Sequence, residues 1–273
     1  MLRFTAENLQ PILSAHRLDT AGLLPLSACR ITQGYLLARA GLSANEGSVL
    51  MLALPYTMPD TADEADRNIS RYAVPCDYHH IAKDLLGRLI EELRRDWPGA
   101  NFAAFADHSP IDERHAAAAA GLGMLGDHGL IITPHYASYV FLAEIITDLP
   151  TDAQPQIPQT CSHCGACRAA CPVGLDKARC LSALTQKKGE LSPDEQIALR
   201  EGGLAWGCDR CQEVCPHARH AAPTPLAAFR QDRLYRLTAA EIEAMDDQTF
   251  SRRAYAWRGR AVILRNLRLL EKE

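Results

Sequence analysis

The sequence predicts a mixed fold of the α+β / α/β class. An α/β layer spans residues 1–150, a cysteine-rich module spans 151–220, and a short helical segment closes the chain at 221–273. Three observations carry this reading. Short apolar runs alternate with amphipathic stretches in the first part, as strands alternate with helices in α/β layers. Eight of the ten cysteines lie between 161 and 215. The stretch from 224 onwards has helical periodicity.

Each element follows from its residues. "SVLMLALPY" (48–56) is almost wholly apolar and reads as a buried strand. The polar stretch 57–70 reads as a loop. Over 79–97, Ile81, Leu85, Leu86, Leu89, Ile90 and Leu93 fall on one helical face. "NFAAFAD" (101–107) is strand-like and ends at Asp107. Ser109-Pro110 is a helix-start signal, and the alanine run after it favours helix until Gly121, Gly123 and Gly126 stop it. "GLIITP" (129–134) and "YVFLAEIITD" (139–148) are two further strands. "LPTDAQPQIPQT" (149–160) reads as a linker.

With 273 residues the chain can bury a sizeable core, and a net charge of -4 demands no nucleic acid as partner. The N-terminus mixes charges into its apolar residues, unlike a signal peptide. No apolar run reaches the roughly 18 residues of a membrane span. The expectation is a soluble, cytoplasmic protein, a monomer, with reduced thiols rather than disulfides.

The module opens with C-x2-C-x2-C-x3-C-P at Cys161, Cys164, Cys167 and Cys171, the bacterial iron–sulfur run. Three thiolates at this spacing converge on one cube of iron and sulfide, and the fourth reaches a second cube. "CDRCQEVCPH" adds Cys208, Cys211 and Cys215. With the outlying cysteine of each motif crossing over, cluster one takes Cys161, Cys164, Cys167 and Cys215. Cluster two takes Cys171, Cys208 and Cys211 and lacks one ligand, which Cys180 supplies as the remaining cysteine of the module. The module is thus ferredoxin-like, with two [4Fe–4S] clusters. Zinc ribbons would need two ligand pairs across a long gap, which this spacing does not offer. His163, His217 and His220 lie nearby and read as surface histidines.

A simple electron carrier does not need the 160 residues before the module. "SRYAVPCDYHHIAKDLLGRL", "ADHSPIDERHAAAAAGLGMLGDHGLIITPHYASYVFLAEIITD", "RCLSALT" and "WGCDRCQEVCPH" occur in this order. On these motifs the chain resembles the epoxyqueuosine reductases, cobalamin-dependent iron–sulfur enzymes of the last step of queuosine formation in tRNA, and more distantly the reductive dehalogenases. The likeness covers residues 45 to 220.

The resemblance implies a chemistry. A low-potential donor of ferredoxin or flavodoxin type reduces the clusters, and these reduce cobalamin held by the α/β domain. The cofactor attacks the epoxide, a carboxylic acid gives a proton, water leaves and an alkene forms. Asp107 matches the family's proton donor, and burial beside the corrin would keep it protonated. Read without the family, it caps a helix. Asp77 matches a motif that helps polarise the substrate or the leaving hydroxyl, or caps the 79–97 helix. The residue before it is Arg in the family and Cys76 here, which reads as a small buried thiol.

Gly121, Gly123 and Gly126 match the turn that faces cobalamin, although Met124 replaces its Trp and Asp127-His128 its Lys-Asn. Ser182, Thr185 and Asp209 are further candidate cobalamin contacts. His128 beneath the cobalt is a weaker alternative to a surface histidine.

After the clusters the resemblance implies a short form lacking most of the C-terminal helical-repeat domain that helps to hold tRNA. "SRRAYAWRGRAVILRNLRLL" (251–270) carries arginines at 252, 253, 258, 260, 265 and 268. They read as a phosphate-binding stripe, or as the solvated face of a helix that buries Ala261, Leu264, Leu267 and Leu270. The function expected is reduction of epoxyqueuosine in tRNA. The alternatives are a related reductase acting on another small molecule, and an electron-transfer iron–sulfur protein without cobalamin.

Overall fold

A computed structural model describes residues 4–58 and 65–271. The loop read at 57–70 falls partly on 59–64, outside the described residues. The chain divides into two compact units, one made of Met1–Pro55 and Ile81–Cys164, the other of Tyr56–His80 and Gly165–Glu273. This differs from boundaries at 150 and 220. The stretch 149–160 stays with unit one, because the Gln156 N–H donates to Ala119 O at 2.7 Å and Thr160 bridges Leu125. The cysteine module and the C-terminal helices share one core, which the 56–80 segment joins.

Unit one holds α1 (Ala6–Ala15), β1 (Ala21–Pro25), α2 (Gly34–Arg39), β2 (Ser48–Pro55), most of α3 (Tyr78–Asp96), β3 (Phe102–Phe105), α4 (Glu113–Ala119), the short strands β4 (Met124–Leu125) and β5 (Ile131–Ile132), and β6 (Val140–Thr147). The main sheet has the order β1-β2-β6-β3, and every neighbouring pair is antiparallel. Since β2 and β3 are each antiparallel to β6, they run parallel to one another. The β2–α3–β3 crossover that alternation implies therefore exists, but β6 is inserted between its strands. The sheet thus belongs to the α+β class.

Strand β2 is buried along its whole length, as its unbroken apolar run requires. Helix α3 buries Leu85, Leu86, Leu89, Ile90 and Leu93 as expected, with Ala82 rather than Ile81 completing the stripe. Helix α4 begins at Glu113, later than Ser109-Pro110. Its cap is Asp112, whose side chain accepts the His115 N–H. The residues before it are drawn into pairing with another segment: Ile111 bridges Ile31, and the Thr32 N–H donates to Pro110 O at 2.8 Å. Alanines 116–119 are all buried. A Cβ on Gly22 of β1 would stand 2.1 Å from Ala120 O, so the helix lies close to the strand only because both surfaces are small.

Unit two contains α5 (Ala166–Ala170), α6 (Leu181–Thr185), α7 (Pro193–Gly202), α8 (Arg210–Glu213), α9 (Ala239–Ala244), α10 (Asp247–Ser251) and α11 (Arg260–Leu270). Its core gathers Trp206, Tyr255, Ile242, Ile263 and Leu267 with Ile69 and Val74 of the 56–80 segment. The buried face of α11 is Val262, Ile263, Asn266 and Leu267, rotated from the stripe expected at 261, 264, 267 and 270. Asn266 explains the rotation. It is fully buried, and its amide donates to Thr185 O at 2.7 Å and to Ala205 O at 2.8 Å.

Asn266→Ala leaves two buried carbonyls without donors and is expected to destabilise unit two by about 2–4 kcal/mol. Urea unfolding of the full chain, followed by far-UV circular dichroism, measures this. An unchanged midpoint would show that water replaces the amide at no cost.

The arginine stripe also finds partners inside this unit. Arg252 pairs with Asp232 at 3.3 Å, Arg253 donates to Asp232 O, Arg260 pairs with Asp247 at 2.9 Å, Arg265 donates to Lys187 O at 2.8 Å, and Arg268 pairs with Glu243. Arg258 lies over the Trp257 ring at 3.8 Å. Five of the six arginines thus have partners within the unit, of which Arg252 and Arg268 remain more than half exposed.

Candidate functional site

Asp107 stands two residues beyond β3, in an exposed turn with φ +67, a left-handed conformation that Asp tolerates better than most side chains. It caps no helix, since Asp112 does that for α4. Its backbone N–H donates to Glu113 Oε1 at 3.3 Å. The residues that follow are clamped to the segment before α2. Gln33 Nε2 donates to Ser109 O at 3.0 Å, and Asp112 N–H to Arg30 O at 2.9 Å. A buried Ser109 hydroxyl donates to Glu144 Oε1 on the central strand β6. Burial pushes Glu113 up to about 7, with the charges of Asp107 and Asp112 adding to it, and burial followed by the Glu113 charge raises Glu144 well above the carboxylate range. Neither glutamate was singled out by sequence reasoning. A lone Glu inside the apolar run "VFLAEIIT" was the available signal, because a buried charge needs a partner or a proton.

Asp77 immediately precedes α3. Its Oδ1 accepts the His79 N–H at 3.0 Å and the His79 ring at 2.7 Å, and its own N–H donates to Arg252 O. Burial works to raise its carboxyl, but the His79 hydrogen bonds and the charges of His79 and His80 hold it below its ordinary value. Capping is thus a role it performs in the fold. Cys76 is buried, with its sulfur 3.7 Å from Arg252 and 3.8 Å from Asp232.

In unit two the structure brings Cys171, Cys180, Cys208 and Cys211 together. Burial and then the three neighbouring thiolates push the Cys211 thiol up to about 12. Burial likewise raises Cys208, with Asp209 and Cys180 adding to it. Four half-buried thiols beside each other, two of them held against ionisation, are a donor set that an iron–sulfur cube fits. Cys167 on α5 and Cys215 after α8 are buried within the same unit, where α5 packs on α8. Cys161 and Cys164 end unit one, where the Cys161 N–H donates to Leu125 O at 3.0 Å. There His163 is exposed but pairs with Asp127 at 2.7 Å.

The residues expected at cobalamin are engaged by the chain itself. A Cβ at Gly123 would stand 2.2 Å from Ile132 O, one at Gly121 2.4 Å from Gln156, and one at Gly126 2.5 Å from the His128 ring. Asp209 is fully buried, pairs with Arg67 at 3.3 Å and accepts from Ser70 Oγ and the Arg71 N–H. The buried Thr185 hydroxyl donates to Ser182 O and accepts the Gly207 N–H, and Ser182 Oγ accepts from Gln186. The polar atoms of Asp209 and Thr185 thus hold the cluster segments in place. Gly121, Gly123 and Gly126 belong to unit one and Ser182, Thr185 and Asp209 to unit two, and no step is built on them. His128 Nδ1 accepts the Leu130 N–H, while its buried Nε2 has no hydrogen-bond partner among the described residues.

Comparison with known proteins settles the family. The family model described as epoxyqueuosine reductase QueG, DUF1730, matches residues 40–108. An epoxyqueuosine reductase of Gloeobacter violaceus is 34% identical over 235 residues, covering 77% of this chain and 72% of that one. The chain belongs to the epoxyqueuosine reductase family. Its match to the Aliivibrio fischeri epoxyqueuosine reductase, 34% identical, covers 67% of this chain and 51% of the relative, so the chain spans about half the length of that relative. The epoxyqueuosine reductase structure from Streptococcus thermophilus shares the fold, with a TM-score of 0.76, 21% identity, and coverage of 97% of this chain and 80% of that one. So does an epoxyqueuosine reductase solved with an epoxyqueuosine-modified tRNA-Tyr stem loop, with a TM-score of 0.73, 24% identity, and coverage of 97% and 80%. Among the described residues no helix of this family member is long and apolar enough to cross a membrane.

Proposed function

We propose that the protein is an oxidoreductase that converts epoxyqueuosine in tRNA to queuosine, with Asp107 as proton donor. The observation that carries the proposal is the convergence of Cys171, Cys180, Cys208 and Cys211 in a member of this family. Removing the epoxide oxygen takes two electrons and two protons and yields an alkene and water. Bound clusters supply the electrons one at a time. Cys171, Cys180, Cys208 and Cys211 would hold one cube, and Cys161, Cys164, Cys167 and Cys215 the other. Supporting the role of Asp107 are its held left-handed turn and the capping of α4 by Asp112 in its place. In that role its carboxyl gives a proton to the departing oxygen. Cobalamin is the cofactor that the family resemblance implies between clusters and substrate, and the electron donor is of reduced ferredoxin or flavodoxin type.

The test is reconstitution of the full chain with iron, sulfide and cobalamin, followed by reduction and incubation with tRNA carrying epoxyqueuosine. Nucleoside analysis should show queuosine. Unchanged tRNA from a fully loaded, reducible protein overturns the assignment of substrate. Clusters that form without cobalamin uptake would return the chain to electron transfer alone.

A further inference from the structure

Two glutamates behind Asp107, the buried Glu144 and the half-buried Glu113, have no part in the chemistry above. Glu144 is fully buried in the middle of β6, level with Met51 of β2 and Phe105 of β3. One of its oxygens accepts the Ser109 hydroxyl, and the other, Oε2, has no hydrogen-bond donor among the described residues. The Glu113 carboxyl lies within hydrogen-bond reach of it. Two carboxylates cannot bond to each other without a proton, and an ionised carboxylate as deep as Glu144 would be costly. The groups acting on Glu113 are acidic as well, namely Asp107 and Asp112. Arg30 is turned to Asp112 at 3.4 Å, and Cys29, pushed up to about 12, faces Glu144 as a neutral thiol. Glu113 meanwhile accepts the Asp107 backbone N–H.

We propose that Glu113 and Glu144 form a one-proton latch that positions the Asp107 turn. Glu144 carries the proton and donates it to Glu113, which in turn fixes the Asp107 N–H. Both are positioning residues, and the inference rests on Asp107 being the acid. Loss of the shared proton sets two carboxylates against each other and frees the turn. The direction of the pH effect follows. The folded pair binds its proton more tightly than the unfolded chain does. The latch is therefore in place where Glu113 is ionised and Glu144 still holds its proton, and it is lost as pH rises through the raised value of Glu144.

Glu144→Gln tests the latch, because the Gln amide donates to Glu113 at every pH. Infrared spectra of the full chain at neutral pH, without cofactors, should show a protonated-carboxyl band that disappears in the variant. In the loaded enzyme, turnover should fall about tenfold per pH unit above the titration of the pair, the slope of one proton lost. In Glu144→Gln that alkaline fall should flatten. If this variant does not fold, Glu113→Gln, on the less buried partner, removes the repulsion and should flatten the profile in the same way. A wild-type chain with no such band, or a band that survives in Glu144→Gln, overturns the shared proton. A band that disappears with an unaltered pH profile overturns the positioning of Asp107. Failure of Asp107 as the acid would leave the infrared result untouched, so the two readings fail separately.

Discussion

Asp107→Asn is expected to lower turnover by about 10² to 10⁴-fold, the typical cost of a lost general acid. The structure makes this substitution clean. Asn occupies left-handed backbone as readily as Asp, so φ +67 should persist. The backbone N–H that Glu113 accepts is unchanged, and no helix loses its cap, since Asp112 serves α4. Iron content and circular dichroism should therefore match the parent while turnover collapses. Asp107→Ala is a poorer probe, because a left-handed alanine adds about 1–2 kcal/mol of strain to the loss of the acid. Near-normal turnover of Asp107→Asn would leave Asp107 as a shaped turn with no chemistry of its own.

A second large effect is expected at Cys180. With iron and sulfide the full chain should bind about eight irons, for two cubes. Cys180→Ala should retain about half of them and lose turnover. The residue lies between Arg179 and the start of α6, and its thiol is one of the three whose charge raises Cys211. Alanine removes the donor at little cost to the backbone, since the Cys180 side chain makes no capping hydrogen bond to α6. Electron paramagnetic resonance of the reduced protein distinguishes the outcomes. Two native cluster signals in Cys180→Ala would assign the eighth ligand elsewhere. Electron flow to substrate needs a continuous chain of carriers, so loss of one cube should abolish turnover even with the other intact.

How much was legible in advance varied with the range of the interaction. The strands over 48–55 and 140–147 and the stripe of α3 were readable because apolar periodicity is local. The start of α4 was misread at Ser109-Pro110, because Pro110 and Ile111 are captured by residues 31–33, some eighty positions away. The buried face of α11 was only partly readable: Leu264, Leu267 and Leu270 pack against the core as expected, but Asn266 also turns inward to distant carbonyls, and an apolar stripe cannot announce that. Neither Glu113 nor Glu144 drew notice as a pair, since they become neighbours only when α4 packs on β6.

The sequence by itself determined which cysteines to propose as cluster ligands. Thiol spacing along a short segment limits which sulfurs can meet, and a cysteine left over from two motifs has few places to go. It also placed Asp107 near the end of a strand and ahead of a helix, whereas the structure ends the strand at Phe105 and puts Asp107 in the turn that follows. Only the tertiary structure decided that β6 inserts between β2 and β3 and so makes the sheet antiparallel, that five of six arginines have partners within unit two, and that a carboxyl pair stands behind Asp107. The physical reason is common to all three. Strand neighbours, ion-pair partners and shared protons are chosen by proximity in space, and a side chain's charge or hydrogen-bonding type names the need for a partner without naming the partner.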